Sequence, residues 1–130
     1  MLRAATERDS LRVVSDQLGK PTSARDLAAA IAAVSTRMVA REIPPGTYHF
    51  AGFPMCSWHD LAMRVVDRQA ACTGRRPPIA AIATADWPSP ARRPARSVLD
   101  CTRWTSATRI PMPDWRPGVD RIVDELLEVK

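Results

Sequence analysis

The apolar positions of the chain fall into short runs and helical stripes, separated by proline and glycine. Leu11 to Val14 (LRVV) is a brief run rich in β-branched residues and predicts a strand. The segment Asp16-Gln17-Leu18-Gly19-Lys20-Pro21 then reads as a turn or loop. Ser23, with Asp26 three residues later, opens a helix like a capping box in which an acid replaces the usual Glu or Gln. Leu27, Ile31, Val34 and Met38 recur at helical spacing and form one apolar stripe, which predicts a helix over about 23–40. Pro44, Pro45 and Gly46 close the connection.

The same alternation continues downstream. Thr47 to Ala51 (TYHFA) is a second strand candidate. Ser57 and Asp60 repeat the capping pattern, and Trp58, Leu61, Val65 and Cys72 share one helical face, so a second helix is expected to run to about Cys72. Gly74, Pro77 and Pro78 stop it, and Ile79 to Thr84 (IAAIAT) is a short third strand. Ser97 to Trp104 (SVLDCTRW) predicts a helical turn. A last helix from about Arg116 carries Pro117 in its first turn and buries Val119, Ile122, Val123, Leu126 and Leu127. The order strand, helix, strand, helix, strand, helix predicts an α/β fold with short parallel strands and about three helices.

Composition narrows the class. The chain has 130 residues, enough for one domain with a modest core. Hydrophobic residues make up 45% and charged residues 25%, which are globular values and not those of a disordered chain. No window approaches the roughly 18 to 20 apolar residues that span a bilayer, and MLRAATERDSLRVV lacks the apolar core of a secretory signal. A cytoplasmic location with no membrane partner is the expectation. The net charge of +5 invites a nucleic-acid reading, but only Lys20 and Lys130 of the 19 basic residues are lysines, and the arginines are spread along the chain. No nucleic-acid partner is therefore expected. Cys56, Cys72 and Cys101 are odd in number and far apart, and His49 and His59 have no ligand neighbours at useful spacing. No metal site is expected, and the cysteines read as buried and reduced.

Familiar catalytic motifs are missing. The glycines Gly19, Gly46, Gly52, Gly74 and Gly118 are too scattered for a phosphate-cradling loop. The one tyrosine, Tyr48, is followed four residues on by Gly52 and not by lysine. There is no GxSxG and no HExxH.

One segment carries unusual chemistry. Asp86 to Ser97 reads DWPSPARRPARS, with three prolines and three arginines behind a tryptophan. Structured sequence flanks it on both sides, and no two prolines lie three apart, so a tail, a linker and a PxxP ligand all fit poorly. A shaped loop remains. Proline lowers the entropy lost on ordering, and arginine offers a planar fork to phosphate oxygens. A loop bearing Arg92, Arg93 and Arg96 suits a diphosphate, and Trp87 can stack on a base. The plainer alternative is a solvated basic loop with Trp87 in the core.

Three blocks resemble the C-terminal half of the dTDP-4-dehydrorhamnose reductases, a family of extended short-chain dehydrogenase/reductases. LRVVSDQLGKPTSARDLAAAI resembles the family's VV-DQ-x-G-x-PT core and following helix. TYHFAG and SWHDLA resemble a strand ending in aromatic-x-G and then a sW-x-dfA helix start. TADWPSPARRPARSVLDCTRW resembles T-x-x-(Y/W)-P-(T/S)-P-A-x-RP-x-x-S-x-L, and Asp114-Trp115 before the last helix also agrees.

The resemblance implies the C-terminal, substrate-binding lobe of a Rossmann-type reductase over residues 1–130. The family's N-terminal Rossmann domain, with its NADPH loop and Tyr-x-x-x-Lys pair, is absent from this sequence, which leaves no cofactor site here. Met1 falls where the family has an internal methionine, as in a truncated gene or a secondary start. Asp16, Gln17, Gly19, Pro21 and Thr22 match the block that shapes the floor near the sugar, although Gly19 and Pro21 also suit a purely structural turn. Arg93 matches the family's RP arginine and is the implied diphosphate ligand, and Ser97 matches the family serine. Arg96 departs from the small polar residue usual there. The implied ligand is a dTDP-sugar, held by Arg93, Gln17, Thr22, Trp87 and Ser97. Three readings follow: a truncated reductase inactive alone, a binding module that works with a separate Rossmann subunit, or a non-functional remnant.

Overall fold

The run at Leu11–Val14 forms strand β1, which pairs in parallel with β4, Ile79–Ile82, in the register Leu11 to Ile79 through Val14 to Ile82. The computed structural model that gives this pairing describes residues 1–128. Two long helices lie between these strands in the chain, α2 at Ala24–Val39 and α3 at Trp58–Thr73, and a third, α5 at Trp115–Glu128, closes it. Two short helices add to them: α1 at Leu2–Glu7 and α4 at Thr102–Thr108. The α/β class with short parallel strands therefore holds. α1 is an addition to the expected elements, and α4 starts later than the predicted turn over 97–104.

The capping signals work as read. The Ser23 hydroxyl accepts from the Asp26 amide at 3.3 Å and starts α2. Ser57 and Asp60 form a full reciprocal box at the start of α3. Gly74 ends α3 in the left-handed region at φ 74°, where a side chain would be strained.

Two expectations fail. Thr47–Ala51 is not a strand, because it has no ladder partner among the described residues. Its alternating side chains are satisfied by packing instead. Phe50 meets Trp104 edge to face at 5.1 Å between ring centroids, and both Tyr48 and Phe50 pack on a core of Ala30, Val34, Ile43 and Trp104. The antiparallel pair β2, Leu18–Gly19, with β3, Cys56–Ser57, takes up ladder bonds instead.

The helix stripes are also corrected. α2 buries Ala30 and Val34, while Leu27, Ile31 and Met38 are exposed. α3 buries Ala62, Val66 and Gln69, whereas Trp58 and Cys72 of the predicted face are exposed. α5 buries Trp115, Gly118 and Val123, and leaves Ile122 and Leu126 exposed. The large apolar residues lie on faces that the described elements do not cover. Cys56 and Cys101 are buried as expected, but Cys72 is exposed.

Two small cores result. Besides the one around Trp104, Ala5, Leu11 and Val66 bring α1, β1 and α3 together, with Val13 and Ile79 against them. α3 and α5 are locked side by side by paired ion bridges, Arg64 with Asp120 and Arg68 with Asp124. No described helix is long and apolar enough to cross a membrane.

Candidate functional site

The segment after β4 is held at both ends. A short 3-10 turn at Thr84–Asp86 starts it. The Asp16 carboxylate, just beyond β1, accepts the Thr84 amide at 3.0 Å and the Thr84 hydroxyl at 2.6 Å. These bonds hold the Asp16 carboxyl below the usual carboxylate range, with the Thr84 hydroxyl the larger cause and its backbone N–H the next. Gln17 donates its side-chain N–H to the same Thr84 oxygen at 3.1 Å. At the far end, the Leu18 amide donates to the Ala95 carbonyl at 2.8 Å and the Ser97 amide to the Leu18 carbonyl at 2.9 Å. The proline- and arginine-rich stretch therefore bridges two points on the strand–turn unit 11–19. Between them it forms a shaped loop.

A cleft of about 590 Å³ lies between this loop, β1 and α1. Gln17, Trp58, Thr84, Trp87 and Arg93 line it. Trp87 is 48% exposed, so it belongs to the cleft wall and not to the core. A smaller cleft of about 210 Å³ adjoins it, shares Gln17 and Trp58, and adds Lys20, Ser57 and Ser97. The cleft walls thus combine two half-exposed indoles, three arginines and several hydroxyl and amide groups. That is the mix suited to a planar base joined to an anionic group.

Of the residues singled out in the sequence, Gln17, Trp87 and Arg93 come together in the larger cleft, and Ser97 lies in the smaller one beside Gln17. Thr22 stands apart from both. Its hydroxyl donates to the Lys20 carbonyl at 3.1 Å and accepts from the Gly52 amide at 3.0 Å. That bond seats the 47–53 segment against the turn. Gly52 is required there, since a Cβ would come within 2.0 Å of the Pro21 carbonyl oxygen. Arg96 points its guanidinium at the Met55 sulfur, 3.8 Å away. Thr84 was not singled out from the sequence, although the T of the T-x-x-(Y/W)-P block was a usable signal. Trp58 was read only as part of one helical face with Leu61, Val65 and Cys72, and its place at the junction of the clefts depends on how β3 presents the start of α3.

The chain matches the family model described as RmlD substrate binding domain over residues 1–128. It is 39% identical over 125 residues to the dTDP-4-dehydrorhamnose reductase of Aggregatibacter actinomycetemcomitans, covering 94% of this chain and 42% of that protein. It is 38% identical over 129 residues to the Sinorhizobium fredii reductase of the same name, covering 98% and 44%. The crystal structure of a dTDP-4-dehydrorhamnose reductase from Clostridium acetobutylicum superposes with a TM-score of 0.82 at 29% identity, over 97% of this chain and 42% of that one. The Bacillus anthracis reductase, solved in complex with NADP, superposes with a TM-score of 0.75 at 26% identity, over 95% and 41%. The chain thus spans less than half the length of these relatives, and the match is to their C-terminal half. On the strength of a match along 1–128, this chain belongs to the RmlD substrate binding domain family.

Proposed function

We propose that residues 1–130 act as the substrate-binding lobe of a dTDP-4-dehydrorhamnose reductase and hold a dTDP-sugar in the cleft between β1 and the 84–97 loop. The carrying observation is that Arg93 and Trp87, on a loop fixed by the Asp16–Thr84 bonds, meet Gln17 in one cleft. Arg93 binds the diphosphate, Trp87 faces the nucleoside, and Gln17 and Ser97 offer polar groups toward the sugar. Thr22 supports the site from outside by holding Gly52.

The nicotinamide cofactor of the whole reductases, which supplies a hydride when bound, needs a glycine-rich cradle and a Tyr-x-x-x-Lys pair. The residues here do not fit it. Gly52 abuts the Pro21 carbonyl, Gly118 abuts Ser23 in helix packing, and the Tyr48 hydroxyl donates to the Pro44 carbonyl. The lobe alone is therefore inactive, and the reduction of dTDP-4-dehydro-rhamnose to dTDP-rhamnose requires a Rossmann domain packed beside it. Two observations support such a partner. β1 and β4 have one ladder neighbour each among the described residues, and α2 leaves Leu27, Ile31 and Met38 uncovered.

The test is binding and turnover side by side. Purified chain is expected to bind dTDP-rhamnose, to lose that binding in Arg93→Ala, and to leave NADPH unoxidised in the presence of dTDP-4-dehydro-rhamnose. Sugar-nucleotide-dependent NADPH oxidation by the chain alone contradicts the inactive reading. Unchanged affinity in Arg93→Ala removes the loop from the site.

A further inference from the structure

Nine arginines form ion pairs with carboxylates among the described residues, including those that join α3 to α5 and α2 to α5. Arg8, Arg12 and Arg93 are not among them, and all three line the cleft between the loop, β1 and α1. They come from three different places: the end of α1, the middle of β1 and the proline-rich loop. Among the described residues the cleft lining contains no aspartate or glutamate, and the Asp16 carboxylate behind Thr84 is engaged by that residue. A second cleft, of about 660 Å³ between α3 and α5, gives the contrast, because its Arg68 and Arg75 are accompanied by Asp124 and Glu128. Three guanidiniums that share one cleft wall, with no ion-pair partner among the described residues, give it a positive potential that suits a polyanion.

We infer that Arg8 and Arg12 are two further anion-binding residues, which together with Arg93 form a three-sided cradle for the diphosphate of the nucleotide. The inference rests on the sugar-nucleotide reading for the identity of the ligand, but not for the presence of an anion site. A diphosphate offers more oxygens than one guanidinium fork can engage, so arginines from three directions match its shape. Arg8 also sets the geometry, since its backbone carbonyl accepts from Arg75 at 2.9 Å and ties the end of α1 to the loop after α3. Its guanidinium is thereby presented from a fixed backbone. Arg12 sits in the paired register of β1 opposite Ala80 and is likewise fixed at its Cα.

The experiment is calorimetric titration of the whole chain with inorganic pyrophosphate, dTDP and dTDP-rhamnose, at low and at physiological ionic strength. Arg8→Gln, Arg12→Gln and Arg93→Gln are compared with Arg3→Gln, an exposed arginine of α1 that does not line the cleft. Circular dichroism checks that each variant is folded, and Arg8→Lys and Arg12→Lys test whether charge alone restores binding. Loss of one charged hydrogen-bond donor is expected to weaken dTDP about tenfold in each cleft variant, and binding is expected to fall as salt rises. Arg3→Gln is expected to match wild type. Pyrophosphate binding that is lost in all three cleft variants, without any binding of dTDP-rhamnose, supports the cradle and overturns the sugar-nucleotide reading. Binding of dTDP-rhamnose that depends on Arg93 but is unchanged in Arg8→Gln and Arg12→Gln overturns the cradle and leaves that reading intact. Failure of wild type to bind any of the three anions overturns both.

Discussion

The Thr84 hydroxyl lies 2.6 Å from the Asp16 carboxylate and also accepts the Gln17 side-chain N–H at 3.1 Å. Residues 68 and 67 positions apart in the chain thereby meet at one oxygen, where the arginine loop leaves the sheet. Thr84→Val removes both bonds while keeping the shape of the side chain. It is expected to lower the thermal midpoint modestly and to weaken dTDP-rhamnose binding more than it destabilises the fold, because it frees the loop at its root. A fall in stability without any change in affinity contradicts that coupling.

Acid sensitivity follows from the same contact. Asp16 is held low by the Thr84 hydroxyl, Asp60 by the Ser57 backbone N–H, Asp100 by the Thr102 hydroxyl, and Asp124 by Arg68. A carboxyl whose folded pKa is depressed stabilises the fold above its unfolded value, near 3.9, and that contribution is lost as pH falls through the folded pKa. The melting midpoint is expected to be flat from about pH 5 to 7 and to fall below about pH 4. Asp16→Asn is expected to lower the plateau and reduce the acid slope. An equal slope in the variant contradicts the assignment.

Gly52 has room for no side chain. A Cβ there would sit 2.0 Å from the Pro21 carbonyl oxygen and 3.0 Å from the Trp115 Cβ. Gly52→Ala is expected to cost about 1–3 kcal/mol by forcing the turn from the 47–53 segment. Chemical denaturation of the variant measures this directly.

Thiol reactivity distinguishes the cysteines. Burial, with a smaller contribution from Asp60, pushes the Cys56 thiol up to about 11. Little of it is thiolate at pH 8, whereas Cys72 is exposed on α3. A thiol reagent is expected to modify Cys72 first and Cys56 only on unfolding. Early labelling of Cys56 contradicts the buried β2–β3 pair.

The α3–α5 contact is testable by a double-mutant cycle. Arg64 and Asp120 form a forked pair one helical turn from the Arg68–Asp124 pair, whose bonds are 2.6 Å. The Arg64 side chain is 41% exposed, so its coupling to Asp120 is expected to be about 0.2–1 kcal/mol and to shrink in high salt.

Local signals were the most legible part of the sequence. Ser23–Asp26 and Ser57–Asp60 marked two helix starts, because a cap is a contact between neighbours in the chain. LRVV and IAAI gave the parallel pair. Leu27, Ile31 and Met38 misled, because a stripe shows which face favours burial and not whether a neighbour covers it. The two-residue strands Leu18–Gly19 and Cys56–Ser57 are too short to leave a period. Tyr48 and Phe50 alternate like a strand, yet the core of Ala30, Val34, Ile43 and Trp104 takes their side chains without a ladder. Arg93, Gln17 and Trp87, which share one cleft, were singled out through the motif blocks. Arg8 and Arg12 were not, since only the fold brings α1, β1 and the loop to one cleft.

The most direct test of the sugar-nucleotide lobe is a circular-dichroism thermal melt of the purified chain, with and without millimolar dTDP-rhamnose, for wild type and Arg93→Ala. A ligand that binds only the folded state raises the midpoint by mass action. The melt is expected to be cooperative, to shift upward with ligand in wild type and not to shift in Arg93→Ala. A cooperative wild-type melt that dTDP-rhamnose leaves unmoved would contradict that expectation.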